Sequence, residues 1–227
     1  MQPPQALNGT TTTFPSLSSY KTLVEAGPLI LMIGAGYRGH AYADAIRASG
    51  EGTIAAVVEP VPFKRQAFGA AYIWGAAGRN GPRDGEAFES WEDYISYEID
   101  RRERVRTGET VADPGIDAVF VCVLDELHAA VVKGLAPLGL HIMCEKPLAT
   151  QLEDLLGMYA ALAQSWDALQ RKTVFMTGYV LRYSYFFMLL RRLLWEERVI
   201  GDVISVEHTE PVGWWHFGHA YVRYVQS

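Results

Sequence analysis

The amino-acid sequence predicts an α/β protein with a doubly wound parallel sheet, followed by the start of a second, α+β domain. Apolar runs without polar alternation recur at Pro28–Ile33, Thr53–Val58 and Ile116–Leu124, as in strands that are buried on both faces. Helical segments separate these runs, and a glycine-rich turn directly follows the first of them. Alternating strands and helices of this kind are typical of a parallel sheet that has helices on both sides.

The first half of the predicted sheet consists of two strand–helix units. Pro28–Ile33 is the first strand, and the alanine-rich segment His40–Ser49 is the helix that follows its glycine turn. Thr53–Val58 is the second strand and ends at an acidic residue, and Phe63–Tyr72 is the next helix. These units place the first two strands side by side in one parallel sheet.

The middle of the chain is more polar. Gly75–Asp84 is rich in Gly, Arg, Asn and Pro, which predicts a loop. Ser90–Arg106 is amphipathic but heavily charged, and we interpret it as a solvated helix on an insertion at about 75–114, in preference to a binding element. Strand and helix patterns resume at Ile116–Leu124 and Glu126–Leu135.

Leu140–Cys144 completes the predicted first domain, which covers about 29–150. A capping-box pattern at Thr150–Glu153 predicts the start of a helix. That helix has apolar residues at helical spacing, namely Leu152, Leu155, Leu156, Tyr159, Leu162 and Ala163. Its apolar face is expected to pack against the body of the protein.

The remaining chain, 151–227, is expected to form linker helices and an incomplete second domain. Thr173–Val180 has a strand pattern, and Tyr185–Glu197 has the broad apolar face of a helix. Val203–His208 alternates between apolar and polar residues, which predicts a half-exposed strand that opens a different sheet.

Composition excludes several classes of protein. The 227 residues have a formal net charge of -6 and no basic stripe, so nucleic-acid binding is not expected. No apolar run reaches the ~18 residues that a membrane helix needs. Residues 1–28 are rich in Pro, Thr and Ser and predict a disordered lead-in without the features of a secretory signal. Cys122 and Cys144 lie in predicted strands, which favours a reducing, cytoplasmic location over a disulfide framework.

The glycine-rich turn has the spacing of a dinucleotide-binding motif. Gly34, Gly36 and Gly39 follow a buried strand and open a helix, and Glu59 lies twenty residues after Gly39 at the end of the next strand. Gly34 allows the tight turn, Gly36 allows backbone to approach a pyrophosphate, and Gly39 allows close packing of helix and strand. The positive end of the helix then faces the pyrophosphate.

Glu59 favours NAD over NADP. Its carboxylate is placed to accept hydrogen bonds from ribose hydroxyls, whereas a 2′-phosphate would meet a like charge. Lys64 and Arg65 would reverse this preference if they paired with the phosphate. We favour the simpler interpretation, in which both are solvated residues of the first helical turn, and NADP stays possible.

Glu145-Lys146-Pro147 follows a predicted strand, at the edge where open α/β sheets bind ligands. Adjacent strand residues point to opposite faces, so Glu145 and Lys146 are not expected to pair with each other. A lysine at this edge can donate or accept a proton in a reaction. The alternative is a surface lysine that precedes a loop.

Other polar residues are weaker candidates. His128 follows the 116–124 strand and either contacts a ligand or starts a helix. Tyr179 lies at the end of the 173–180 strand and Arg182 follows it; they either bind a polar or anionic substrate or, for Arg182, form a salt bridge. Cys144, on an apolar strand, is expected to be an inert buried thiol. The four residues His208, Glu210, His216 and His219 match no metal motif, and no metal is predicted.

Several of these features occur together in the order of one known family. They are Gly34–Gly39, Glu59, Phe120–His128, Gly139–Thr150 and Gly178–Arg182. Over roughly 29–208 the chain resembles the glucose–fructose oxidoreductase / inositol dehydrogenase (Gfo/Idh/MocA) family. The resemblance implies a Rossmann domain, a C-terminal α/β domain for substrate and dimer contacts, and hydride transfer between NAD(P) and a sugar, polyol or related alcohol.

The resemblance also implies roles for individual residues. Lys146 matches the family's active-site lysine, and His128 matches a histidine near the nicotinamide. Cofactor contacts are expected from Tyr37, Arg38, Leu124 and Glu145, in addition to the glycines, Glu59, His128 and Lys146. Substrate contacts are expected from Arg182 and His208.

Two departures from the family pattern affect the functional expectation. The 75–114 region is longer than the usual link, and no counterpart of the family's Asp-x-x-x-His motif follows Val203–His208. We therefore expect a C-terminally truncated chain with a small-molecule substrate, whose full-length relatives are homo-oligomers. The alternative is a protein that binds or senses NAD(P) without catalysis, or an inactive fragment.

Overall fold

A computed structural model describes residues 27–214 of the chain. It contains one six-stranded parallel sheet in the order β3-β2-β1-β4-β5-β6. The strands are β1 (Leu29–Ile33), β2 (Thr53–Val58), β3 (Ala87–Phe88), β4 (Ala118–Val121), β5 (His141–Cys144) and β6 (Phe175–Thr177). The predicted doubly wound parallel sheet is confirmed, and the predicted bounds of the second strand are those observed.

Helices connect successive strands along the chain. The α-helices are α1 (Tyr37–Ser49), α2 (Pro62–Tyr72), α3 (Trp91–Arg106), α4 (His128–Leu135), α5 (Leu152–Leu169) and α6 (Tyr185–Arg191). The chain divides into two compact units, of which the first runs through Gly178 and the second begins at Tyr179. The first unit contains all six strands and the helices α1 to α5.

Both faces of the sheet are buried, as the unbroken apolar runs predict. Along β1, Leu31 and Ile33 belong to one core cluster, whereas Ile30 and Met32 belong to the other. Alternate residues of a strand point to opposite faces, so a strand covered by helices on both sides must be apolar at every position. The second cluster includes Trp74, which is 1% exposed.

Part of the region at about 75–114 belongs to the sheet, and its helix is buried on one side and not wholly solvated. Ala87 and Phe88 form the third strand of the sheet and pair with Val57 and Val58. Helix α3 packs its buried Tyr94 against the core that also contains the sheet residues Val119 and Val121. A two-residue strand is too short to produce a periodic pattern, which is why the sequence analysis did not identify it.

The sheet also extends beyond the domain boundary expected near residue 150. Strand β6 pairs in parallel with β5, so α5 is the crossover between two strands of the same sheet. The predicted capping box at Thr150–Glu153 does not form, because the residue that caps α5 is Gln151 and its side chain makes no capping hydrogen bond.

The start of a second sheet is not observed. Val203–His208 has no regular secondary structure, and its residues are exposed. Within residues 27–214 no other strand lies beside this segment, and a strand without a neighbour gains no ladder of backbone hydrogen bonds.

The predicted 185–197 helix is α6 followed by a π-helical turn over Arg192–Glu196. The expected lead-in lies almost entirely outside the described residues.

Helix α5 has an apolar row that points away from the core. Leu152, Leu156 and Tyr159 are exposed, whereas Met158 and Leu162 of the same helix are buried. The predicted apolar face is therefore split between the core and the surface. Among the described residues, no helix has the length and apolar character that a membrane span requires.

Candidate functional site

Two glycines of the turn between β1 and α1 are required by close backbone contacts. Gly34 has φ +99°, and a Cβ at this position would lie 2.5 Å from the carbonyl oxygen of Cys122. A Cβ at Gly39 would lie 2.2 Å from the carbonyl oxygen of Gly34. Side chains at either position would force the turn away from the sheet, so both residues shape the turn itself.

Gly36 has a different environment. A Cβ at this residue would meet no protein atom within 4 Å. Gly36 caps the N-terminus of α1, has extended backbone, and is followed by a helix with no acidic residue in its first turn. The space beside the unpaired N–H groups of this helix end therefore suits an anionic group such as a diphosphate.

Glu59 follows β2 directly and lies beside the glycine turn. The residue is 6% exposed. Its Oε2 accepts a hydrogen bond from the backbone N–H of Ala35 at 2.9 Å, and its Oε1 accepts one from Val61 N–H at 3.1 Å. Each carboxylate oxygen can accept more than one hydrogen bond, so the anchored group can still bind ribose hydroxyls.

Of the two basic residues after Glu59, Arg65 has protein partners. Its Nη1 donates to the backbone carbonyl of Glu59, and its Nη2 lies 2.9 Å from Oε1 of Glu89. Lys64 is exposed. Glu89 was not among the predicted site residues, because it follows the short strand β3, which has no recognisable sequence pattern.

Glu145 and Lys146 face different surroundings, as their adjacency predicts. Glu145 is 6% exposed, and its Oε1 accepts a hydrogen bond from the Tyr42 hydroxyl at 2.5 Å and lies 3.3 Å from Nε of Arg38. Burial, and then the hydrogen bond to Glu145, raise the pKa of Tyr42 well above its usual range. Lys146 is exposed, so the two residues separate into a buried anchor and an accessible ammonium group.

His128 starts a helix, which is one of the two roles predicted for it. The side chain starts α4 and has no exposed surface. Its Nδ1 lies 2.7 Å from the carbonyl oxygen of Pro147, and its Nε2 lies 3.3 Å from that of Val123. The ring therefore connects the loop after β4 with the loop after β5.

The candidate residues of the first unit follow the carboxyl ends of neighbouring strands. The glycine turn follows β1, Glu59 follows β2, Leu124 follows β4 and Lys146 follows β5. Because parallel strands end at a common edge, the fold gathers these residues at one side of the sheet. Leu124 is half exposed and Tyr37 is exposed, so both side chains are accessible there.

The two expected substrate contacts lie in the second unit. Arg182 is exposed in the 3₁₀ turn Val180–Tyr183, and the ring of His208 lies 6.1 Å from that of Phe187. Across residues 27–214, no three metal-ligating side chains converge. His216 and His219, which belong to the cluster considered in the sequence analysis, lie outside the described residues.

Cys144 is buried at the end of β5, and Cys122 is partly buried directly after β4. Burial, followed by the nearby charge of Glu145, raises the pKa of Cys144 to about 12. The same two effects raise the pKa of Cys122 well above its usual range. Neither thiol is activated as a nucleophile, in agreement with the predicted inert Cys144.

The chain is similar to a known protein family and to individual known proteins. The model of the Gfo/Idh/MocA family, described as an oxidoreductase family with an NAD-binding Rossmann fold, matches residues 29–172. A levoglucosan dehydrogenase from Pseudarthrobacter phenanthrenivorans is 31% identical over 104 residues, which are 46% of this chain and 25% of that protein. A 1,5-anhydro-D-fructose reductase from Ensifer adhaerens is 42% identical over 57 residues, or 25% and 17% of the two chains.

Solved structures share the fold at low sequence identity. The scyllo-inositol dehydrogenase from Lactobacillus casei with bound NAD(H) and scyllo-inositol has a TM-score of 0.57 and 20% identity. The match covers 78% of this chain and 43% of that one. The present chain thus spans less than half the length of this structure, and its matches span about a quarter or less of the two curated relatives.

Proposed function

Since the chain belongs to the Gfo/Idh/MocA oxidoreductase family with an NAD-binding Rossmann fold, we propose that it binds NAD at the carboxyl edge of its sheet. We further propose that it takes part in hydride transfer to or from a sugar, polyol or related alcohol. One observation supports this most directly: open space beside Gly36 lies next to the buried, anchored carboxylate of Glu59. A diphosphate and a ribose diol need these two features side by side.

Three groups of residues have separate roles in this proposal. The first-turn N–H groups of α1 bind the diphosphate, and Glu59 accepts hydrogen bonds from the adenosine ribose. Glu145, held by Tyr42 and Arg38, fixes the backbone from which Lys146 projects. The arrangement connects the helix that begins the cofactor site with the loop that carries the proposed proton-transfer residue.

Lys146 is the residue proposed to move a proton. When bound, the nicotinamide supplies the acceptor or donor of the hydride. During oxidation the exposed Lys146 side chain, as a neutral amine, takes the proton of the substrate hydroxyl, and during reduction its ammonium form returns a proton to the substrate. A general acid–base group of this kind contributes ~10²–10⁴-fold to the rate.

Calorimetry with NAD tests the cofactor part of the proposal. We expect saturable binding to the wild-type chain, and weaker binding to Glu59→Ala because the ribose loses its acceptor. Lys146→Met should retain NAD affinity, since its side chain is proposed to act on the substrate. Absence of NAD binding to the folded wild-type chain would contradict the proposed function.

A dehydrogenase assay tests the catalytic part. Reduction of NAD is followed at a saturating cofactor concentration with a panel of sugars and polyols. Any turnover by the wild-type chain should fall by about 10²–10⁴-fold in Lys146→Met if this residue moves the proton. Equal turnover by both proteins would refute the role of Lys146 and leave the cofactor assignment to be judged by calorimetry.

A further inference from the structure

We propose that Glu89 is a specificity-determining residue of the dinucleotide site. By pairing with Arg65, it holds a guanidinium group away from the position of a ribose 2′-phosphate and so favours NAD over NADP. This inference rests on the proposed function, because it concerns the same site. It adds a residue that lies outside the glycine motif and outside the acidic position at the end of β2.

The sheet register places Glu89 next to Glu59. Val58 pairs with Phe88, and the N–H of Glu59 donates to the carbonyl of Phe88 at 3.1 Å. Glu59 and Glu89 are therefore the first residues after two adjacent parallel strands. Since both follow the carboxyl ends of their strands, both lie at the ligand-binding edge of the sheet.

Arg65 lies between these two positions and is held at two points. Its Nη1 donates to the backbone carbonyl of Glu59, and its Nη2 pairs with Glu89 Oε1 at 2.9 Å. The Arg65 side chain is 16% exposed, whereas that of Glu89 is 72% exposed. The arginine is thus laid against the protein by a carboxylate that is itself at the surface.

The charges at this end of the site disfavour a phosphate. Glu59 and Glu89 together carry two negative charges, and Arg65 offsets one of them. An added 2′-phosphate would meet the remaining negative charge, and the guanidinium that would pair with it is already occupied. A ribose hydroxyl is neutral and donates a hydrogen bond, so NAD avoids this electrostatic cost.

The pair can be broken without harm to the fold. Exposed ion pairs contribute little to stability, and Glu89 has most of its side chain in solvent. Glutamine retains the size of the side chain and removes its charge. The adjacent Ser90, whose hydroxyl caps α3, is unchanged in this variant. Glu89→Gln therefore tests the charge of Glu89 in a folded protein.

The experiment measures the dissociation constants of NAD and NADP by calorimetry. The proteins are the wild type, Glu89→Gln, the double variant Glu89→Gln/Arg65→Met, and Glu109→Gln. Glu109 forms an exposed pair with Arg104 beyond the other end of α3, so its variant has the same change in net charge far from the site. The readout is the ratio of the NADP and NAD dissociation constants.

We expect this ratio to fall by about fivefold in Glu89→Gln, the size of one exposed charge pair. The fall should be absent from Glu109→Gln and from the double variant, because the gain requires the released Arg65. A fall that persists in the double variant would mean that simple loss of repulsion is responsible, which would overturn the role of Arg65. An unchanged ratio in Glu89→Gln would overturn the inference as a whole.

The outcome for the wild type separates this inference from the proposed function. NAD binding with an unaltered ratio in all variants refutes the inference alone and leaves the cofactor site intact. Failure of the wild type to bind either dinucleotide refutes both, since no preference exists without a site.

Discussion

At the scale of single residues, the three glycines of the turn have different physical roles. Gly34 and Gly39 prevent collisions within the protein, because a Cβ at either would lie within 2.5 Å of a backbone oxygen. Gly36 prevents no such collision. In the proposed function its lack of a side chain leaves room for the diphosphate, so substitution of Gly36 is expected to separate binding from folding.

We expect Gly36→Val to lose NAD binding while it remains folded. A valine would fill the space proposed for the diphosphate, but its Cβ would meet no protein atom within 4 Å. The cost to the free energy of unfolding should be about 1–2 kcal/mol, the size of an unfavourable change at a helix N-cap. Calorimetry with NAD and urea unfolding of the same sample measure the two effects.

Gly81→Val is the matched control for this substitution. Gly81 also has open space around its would-be Cβ and has no positive φ, but it lies in the loop before β3. This variant should bind NAD as the wild type does. Unchanged NAD affinity in folded Gly36→Val would contradict the placement of the diphosphate.

The sequence predicted where the candidate residues lie along the chain better than it predicted which groups contact each other. Glu59 and Lys146 became candidates because they lie one and two residues after recognisable buried strands. The bond between Tyr42 and Glu145 joins residues 103 positions apart, and no local pattern indicates it. For the same reason the sequence left open whether His128 contacts a ligand or starts a helix, and it did not indicate that the ring nitrogens face two carbonyl groups of neighbouring loops.

At the scale of elements, the charged residues of α3 made its buried side hard to recognise in the sequence. The helix was interpreted as solvated because charged residues fill its second half. In the structure Glu98 is 1% exposed and accepts hydrogen bonds from Arg101 at 2.7 Å and from Arg102 at 2.6 Å. A glutamate that lies three and four residues before two arginines can be buried on the core side of a helix, because the two arginines neutralise its charge.

We expect Glu98→Gln to lower the free energy of unfolding by roughly 3 kcal/mol at neutral pH, since it leaves Arg101 and Arg102 without their buried partner. Burial alone would raise the pKa of Glu98, but the two arginines hold it below its usual range. The stabilisation by Glu98 is therefore complete above about pH 4.3 and is lost as the pH falls through this lowered pKa. Urea unfolding of both proteins at several pH values measures the effect.

The difference in the free energy of unfolding between wild type and Glu98→Gln should accordingly become smaller as the pH falls below about 4. Glu103→Gln is the control, because Glu103 pairs with Arg106 on the exposed side of the same helix. This control should leave the unfolding curve at neutral pH nearly unchanged. A difference for Glu98→Gln that is constant with pH would show that its carboxylate is not the source of the stabilisation.

At the scale of the whole molecule, the first unit is a complete six-stranded sheet. All the residues proposed to bind NAD lie before Gly178, and so do both core clusters. The long apolar strands of this unit were predicted well because burial on both faces leaves a strong signal. Beyond Gly178 the prediction was wrong for Val203–His208, because alternation alone does not supply a strand with a partner.

We expect residues 27–178 alone to fold and to bind NAD with unchanged affinity. The physical reason is that the strand pairing, the core clusters and the glycine turn are all internal to this unit. Circular dichroism and calorimetry of the shortened chain test this expectation, with the 227-residue chain as reference. A shortened chain that folds but binds NAD weakly would show that residues of the second unit contribute to the site.

The outward apolar row of α5 has a consequence for the colloidal behaviour of the protein. Leu152, Leu156 and Tyr159 expose hydrocarbon to solvent, and repulsion between like-charged molecules is what keeps such patches apart in a concentrated sample. The formal charge of -6 provides this repulsion at pH 7, and it vanishes near the isoelectric point of about 5.5. Precipitation should therefore set in on mild acidification, well before the acid-sensitive pairing of Glu98 is lost, and high salt at neutral pH should promote it by screening the same charges.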